Sequence, residues 1–154
     1  MGVRDDDLDL CSALDISGVA TTSTDSTDWV HIPQVKDHKD TSVNDRPNVS
    51  GRLHWNCVVD GADLLAGTDG SIITFTLHAD TDATSITTDG DVILTKAITA
   101  NTPADQADGT YLFSIPLPVD QFNPYLQMKA VISVQTLSTG SIASWIGTPI
   151  QQGQ

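Results

Sequence analysis

Every one of the 20 acidic residues in this chain is an aspartate; there is no glutamate. Glutamate is a good helix former, whereas the short aspartate side chain competes for backbone hydrogen bonds and favours caps and turns. Threonine, valine and isoleucine are abundant between those aspartates, so the chain is expected to be strands joined by turns, with little helix. Its 154 residues suffice for one domain to close a hydrophobic core without disulfides or a structural metal.

The strand signal is clearest after Gly51. Leu53, Trp55, Cys57 and Val59 alternate with Arg52, His54, Asn56 and Val58, the period of two that puts one side of a strand in the core. Ile73, Phe75, Leu77 and Ala79 alternate with Thr74, Thr76 and His78, and Leu126, Met128, Ala130, Ile132 and Val134 with Gln127, Lys129, Ser133 and Gln135. Residues 91–98, 111–117 and 141–146 are shorter runs of the same kind, and a further strand is expected at 29–32, ended by Pro33. Between the runs stand Asp/Gly/Thr/Pro clusters at 67–70, 80–91, 101–109 and 137–140. Seven or eight such strands make an antiparallel sandwich or barrel, with each strand burying one face. Residues 1–28 are polar, rich in Asp, Ser and Thr, and are expected to form an extended arm with one strand near 16–20. Residues 29–154 form the β domain, with a long surface loop over 34–50.

The net charge is −13, with a pI near 4.1. Nucleic-acid affinity comes largely from Lys and Arg neutralising phosphates, and this chain carries seven of them, scattered; neither nucleic acid nor an anionic membrane is an expected partner. No apolar run approaches the length that crosses a bilayer, and the acidic start, MGVRDDDLDL, is unlike a secretory signal. Cys11 and Cys57 make no disulfide framework, and Cys57, in a strand pattern, is expected to be a buried small hydrophobe.

Chemistry is hard to assemble from these residues. A glycosidase-like pair needs a carboxyl held in an apolar pocket, yet the aspartates stand in turn contexts such as Asp60-Gly61, Asp69-Gly70, Asp89-Gly90-Asp91 and Asp108-Gly109. Asp80, Asp82, Asp89 and Asp91 are oxygen donors, but they lack calcium-loop spacing and a closing glutamate. His31, His38, His54 and His78 show no zinc spacing, and surface placement is expected for His54 and His78. No nucleophile elbow and no glycine-rich phosphate loop is present. Trp55 shares the face of Leu53 and Val59, so core packing explains it better than sugar stacking. The expectation is a binding protein with no catalytic residues, no metal and no cofactor.

Residues 123–147 carry the most specific signal. The stretch NPYLQMKAVISVQTLSTGSIASWIG is an aromatic-led alternating strand, a Ser-Thr-Gly turn and a second strand of small and apolar residues. It resembles the C-terminal hairpin of the capsid cement proteins (decoration or head-stabilising proteins) of tailed bacteriophages. Other parts fit in order: the acidic, Leu-containing start at 5–14, the Ser/Thr stretch leading into Asp28-Trp29-Val30, the strands at 53–59 and 72–77, and the 111–118 segment with its Ile115-Pro116-Leu117-Pro118 exit. The chain departs from that pattern at 34–50, which is longer and more charged, and at the polar tail 150–154.

The resemblance implies an all-β, antiparallel jelly-roll-like β-sandwich on the outer surface of the capsid, assembled in the host cytoplasm. It would bridge major capsid protein subunits and commonly pair as a homodimer. On that reading the capsid contacts are expected in the arm and the loop, at Asp5, Leu8, Leu10, Leu14, Trp29, Lys36 and Arg46, and removal of residues up to Ser26 would leave a folded domain with weakened binding. The dimer contact is expected on the outward face of the last hairpin, at Gln127, Lys129 and Val131. The alternatives are a carbohydrate- or receptor-binding β-sandwich module of a virion or extracellular enzyme, an acidic glycosidase or esterase domain, and a head-completion or tail-tube protein.

Overall fold

Alternation puts one side of each strand in hydrocarbon, and two sheets facing each other are the economical way to cover those sides. The computed structural model describes residues 8–18, 23–32, 53–66, 70–100, 106–118 and 123–150. Its strands are β1 (Asp9–Asp15), β2 (Ser23–Asp25), β3 (Val30–His31), β4 (His54–Val59), β5 (Leu65–Ala66), β6 (Ser71–Asp80), β7 (Asp91–Ala100), β8 (Tyr111–Pro116), β9 (Tyr125–Ser133), β10 (Leu137–Thr139) and β11 (Ser141–Gly147), with one short helix, α1 (Ile86–Asp89), between β6 and β7. Sheet 1 has the order β1-β11-β4-β8. Sheet 2 has the order β2-β9-β6-β7, with β3 also on β9, and β5 and β10 form a small separate pair.

The inward rows are those the alternation marks. Trp55, Cys57 and Val59 of β4, Ile73, Phe75, Leu77 and Ala79 of β6, and Leu126, Met128, Ala130 and Ile132 of β9 lie buried in one cluster. Phe113 of β8 meets Trp55 edge-on at 4.7 Å and Phe75 of the opposite sheet at 5.5 Å, so its ring bridges the two layers. Burial of large side chains of this kind stabilises by about 1.5–3 kcal/mol each. The fold is an all-β sandwich of two antiparallel sheets.

The pairing is nested. β1 lies on β11, β2 and β3 on β9, β4 on β8 and β6 on β7, all antiparallel, so each pair encloses the next along the chain. Lys96, exposed at the middle of edge strand β7, stands opposite the inward Phe75. An inward-pointing charge on an edge strand opposes the addition of another strand.

The N-terminal region differs from its expected form. Residues 9–15 are β1, an integral strand of sheet 1, and residues 23–25 are β2, an integral strand of sheet 2. Leu10, Cys11 and Ile16 are fully buried. The reason the arm expectation fails is geometric: β1 shifts register between Asp9 and Cys11 and again between Cys11 and Leu14, with Ala13 at φ 48°. Bulges of this kind turn neighbouring residues to the same side, which erases the period of two. The strand expected at 16–20 is instead a turn where it is described, with Ser17 N–H donating to Asp15 Oδ1 at 2.8 Å and Gly18 at φ 68°. Val134, expected to continue the inward row of β9, stands 68% exposed with φ 78°; the backbone reverses there and turns it outward. The loop over 34–50 falls outside the described residues.

Removal of residues up to Ser26 therefore takes a strand from each sheet. Leu10→Ala is expected to lower the unfolding free energy by about 2–5 kcal/mol, read from urea melts. A stability unchanged from the parent chain would contradict its place in the core.

Candidate interaction surface

The polar positions of β6 and β9 make the outer face of sheet 2, and the register orders it in rows. At one end His31, Tyr125 and Asp80 are lateral neighbours across β3, β9 and β6. The residues beside them, Val30, Leu126 and Ala79, are buried, so the row itself points away from the core. Trp29, 46% exposed, sets its ring edge-on to Tyr125 at 5.3 Å, and His31 tilts against the same ring at 4.7 Å.

Further along the face, α1 folds back over the sheet. Thr87 Oγ1 donates to Asp25 Oδ2 at 2.8 Å, and Lys129 Nζ donates to the Thr87 carbonyl at 3.1 Å. Gly90 closes the helix in a narrow space: a Cβ there would collide with the carbonyl oxygens of Ile86 and Ala79. His78, expected at the surface, is only 7% exposed because this connection covers it. Its Nδ1 lies 3.4 Å from the Gly90 carbonyl and its Nε2 3.0 Å from Thr76 Oγ1. A neutral ring protonated on Nδ1 satisfies both contacts, donating to Gly90 and accepting from Thr76. Burial lowers the His78 pKa, opposed by the Gly90 carbonyl; nearby Lys129 lowers it further and Asp25 raises it. Beyond α1 the face continues through Thr74 and Val131, half-buried, to Ile72, 38% exposed.

The outer face of sheet 1 is partly closed by its own chain. Asn56, fully buried, donates from Nδ2 to the Thr148 carbonyl at 3.1 Å and accepts from Ser114 Oγ at 2.7 Å, while Ile150 N–H donates to Ser114 Oγ at 3.3 Å. Residues 148–150 thus cross β4 and β8, and beside them lies a hollow of about 250 Å³ lined by Tyr111, Phe113, Ser114 and Ile150.

Several of the carboxylates serve turns. Asp82 accepts from Thr84 N–H at 2.7 Å, Asp108 from Gly61 N–H at 2.8 Å and Asp63 from Asp108 N–H at 2.7 Å. Hydrogen bonds from Ser17 hold the exposed Asp15 carboxyl below its ordinary pKa. Among the described residues no three His, Cys, Asp or Glu side chains gather as a metal-holding group. Cys11 and Cys57 are buried inside the core, and burial, with Cys11 adding to it, pushes the Cys57 pKa well up; a buried thiol of this kind is a poor nucleophile.

Of the residues singled out from sequence, Trp29 stands on the exposed aromatic row. Leu10 is core, and Leu8 and Leu14, half-buried, pack partly against it. Asp5, Lys36 and Arg46 fall outside the described residues. Gln127 and Lys129 are both engaged within the chain, Gln127 Nε2 donating to the Ser26 carbonyl at 3.0 Å and Lys129 to Thr87, while Val131 lies half-buried between Ser23 and Thr74. Sequence reasoning missed His31 and Tyr125 as partners of Trp29; β3 and β9 are far apart along the chain, and no local pattern announces their pairing. No family model and no curated protein matches the chain.

His78 yields a pH signature. Its folded-state pKa lies below the ordinary 6.5, so the unfolded chain takes up a proton that the folded chain resists as pH falls through that value. Stability is expected to decline from pH 7.5 towards 5, and His78→Gln is expected to flatten that part of the profile, read as urea midpoints at matched ionic strength. Parallel profiles for the two proteins would remove His78 as the cause.

Proposed function

We propose that this chain is a capsid cement protein, a jelly-roll sandwich that binds the outer surface of an assembled phage head and stabilises it by bridging major capsid protein subunits. The observation that carries the reading is the nested strand pairing, β1 with β11, β2 with β9, β4 with β8 and β6 with β7. Nesting of this kind supports a jelly-roll winding, an architecture used by capsid and lectin domains. The resemblance of residues 123–147 to the terminal hairpin of cement proteins points the same way.

A ligand that binds only the assembled shell stabilises that shell by mass action. A copy that touches two subunits at once gains further from effective concentration, so modest contacts become strong together. The outer face of sheet 2, which carries the exposed Trp29 beside His31 and Tyr125, is the side offered to the shell. The chain acts by binding and performs no catalysis. It pairs with a second copy of itself, and its acidity keeps it away from packaged DNA.

The exposed Trp29 beside His31 and Tyr125 favours a second reading, a carbohydrate- or receptor-binding module, because aromatic rings at a surface also stack on sugars.

Heads assembled without this polypeptide provide the test. Adding the purified chain is expected to give saturable co-sedimentation with expanded heads and to raise the temperature at which they break. A chain that stays in the supernatant at every ratio, or that leaves the breaking temperature unchanged, would contradict the proposal; glycan-array binding without head binding would favour the second reading.

A further inference from the structure

We infer that Trp29, His31, Tyr125 and Asp80 form a receiving site for a cationic side chain, an arginine presented by a protein partner. The site is a property of this chain and stands whether or not that partner is a capsid.

His31, Tyr125 and Asp80 are neighbours across three adjacent strands on the outer side of sheet 2, so a carboxylate stands next to an aromatic ring that two other rings support. The T-shaped contact of Trp29 at 5.3 Å and the tilted contact of His31 at 4.7 Å restrain the Tyr125 ring. The Thr81 backbone N–H and hydroxyl both bind Asp80 Oδ1 and hold that carboxylate in place. A guanidinium is planar, lies flat on an aromatic face and directs its N–H fork to a carboxylate; those are the two features this row supplies side by side. Trp, Tyr and Arg are also the residues that most often anchor protein interfaces.

Charge selects the cation over a neutral sugar or an anion. The chain carries a net −13, and the exposed Asp28 adjoins Trp29 in sequence. Among the described residues, the lysine of β9, Lys129, is turned to the Thr87 carbonyl under α1 and not to Asp80.

The test uses the full chain labelled with ¹⁵N and two short probes, acetyl-Gly-Arg-Gly-amide and its citrulline analogue, which keeps the shape and loses the charge. The arginine probe is expected to move the Trp29 indole resonance and the amides at the start of β9, with the Trp55 indole unmoved, and the citrulline probe is not. Asp80→Asn keeps the oxygen that Thr81 needs and is expected to weaken arginine binding about threefold or more; Tyr125→Ala should weaken it further, with the spectra reporting that both variants remain folded. Equal shifts from the citrulline probe, or undiminished binding by a folded Asp80→Asn, would overturn the inference. So would a cello-oligosaccharide that moves these resonances where the arginine probe does not.

Discussion

The insertion of β11 between β1 and β4, and of β9 between β2 and β6, is the constraint on which the rest of the molecule depends. Both are C-terminal strands placed in the interior of a sheet, so neither layer is whole until the last strands have paired. At the centre of sheet 1, Ser144 of β11 accepts from Trp55 Nε1 at 2.9 Å and donates to the Asn56 carbonyl at 2.9 Å. The largest side chain of the core thereby keeps its one polar atom satisfied. A buried donor left unmatched would cost about 1–3 kcal/mol, so this contact selects the register of β11 as well as stabilising it. Pairings this distant in sequence also make folding slow relative to helical domains of similar size.

How much of this was legible in the sequence follows from where the period of two survives. In β4, β6 and β9 it runs unbroken, and the residues read as inward lie in or against the core, with the exception of Val134, which stands past the end of β9. In β1 two register shifts put Leu10 and Cys11 together inside, and the same leucines look like an unattached arm. A four-residue helix made of Ile86, Thr87, Thr88 and Asp89 has too little length for a periodic signal, so the burial of His78 beneath it could not be foreseen. Asn56 occupies a polar position of an alternating strand, where exposure is the ordinary expectation; it is buried because residues 148–150 return over it.

The aromatic row was half legible. Trp29 could be singled out, but His31 and Tyr125 become its neighbours only through the β3–β9 pairing. That pairing turns scattered side chains into a surface: a rigid sheet fixes the rings and Asp80 relative to one another before any partner arrives. Little conformational entropy then remains to be lost at that end on binding, which favours affinity from a small contact area. The edge lysine on β7 works in the opposite direction, by discouraging the strand-to-strand association that an open sandwich invites. Together these features suit a protein that recognises one surface while crowded among many copies of itself, since like charge keeps such copies apart.

The most direct measurement is a cryo-electron microscopy map of heads carrying this polypeptide. The account requires density for a two-sheet sandwich on the outside of the shell, straddling boundaries between capsid subunits, with Trp29, Tyr125 and α1 turned toward them. Density on the inner surface, or an outer density seated on a single subunit through the face crossed by residues 148–150, would contradict it.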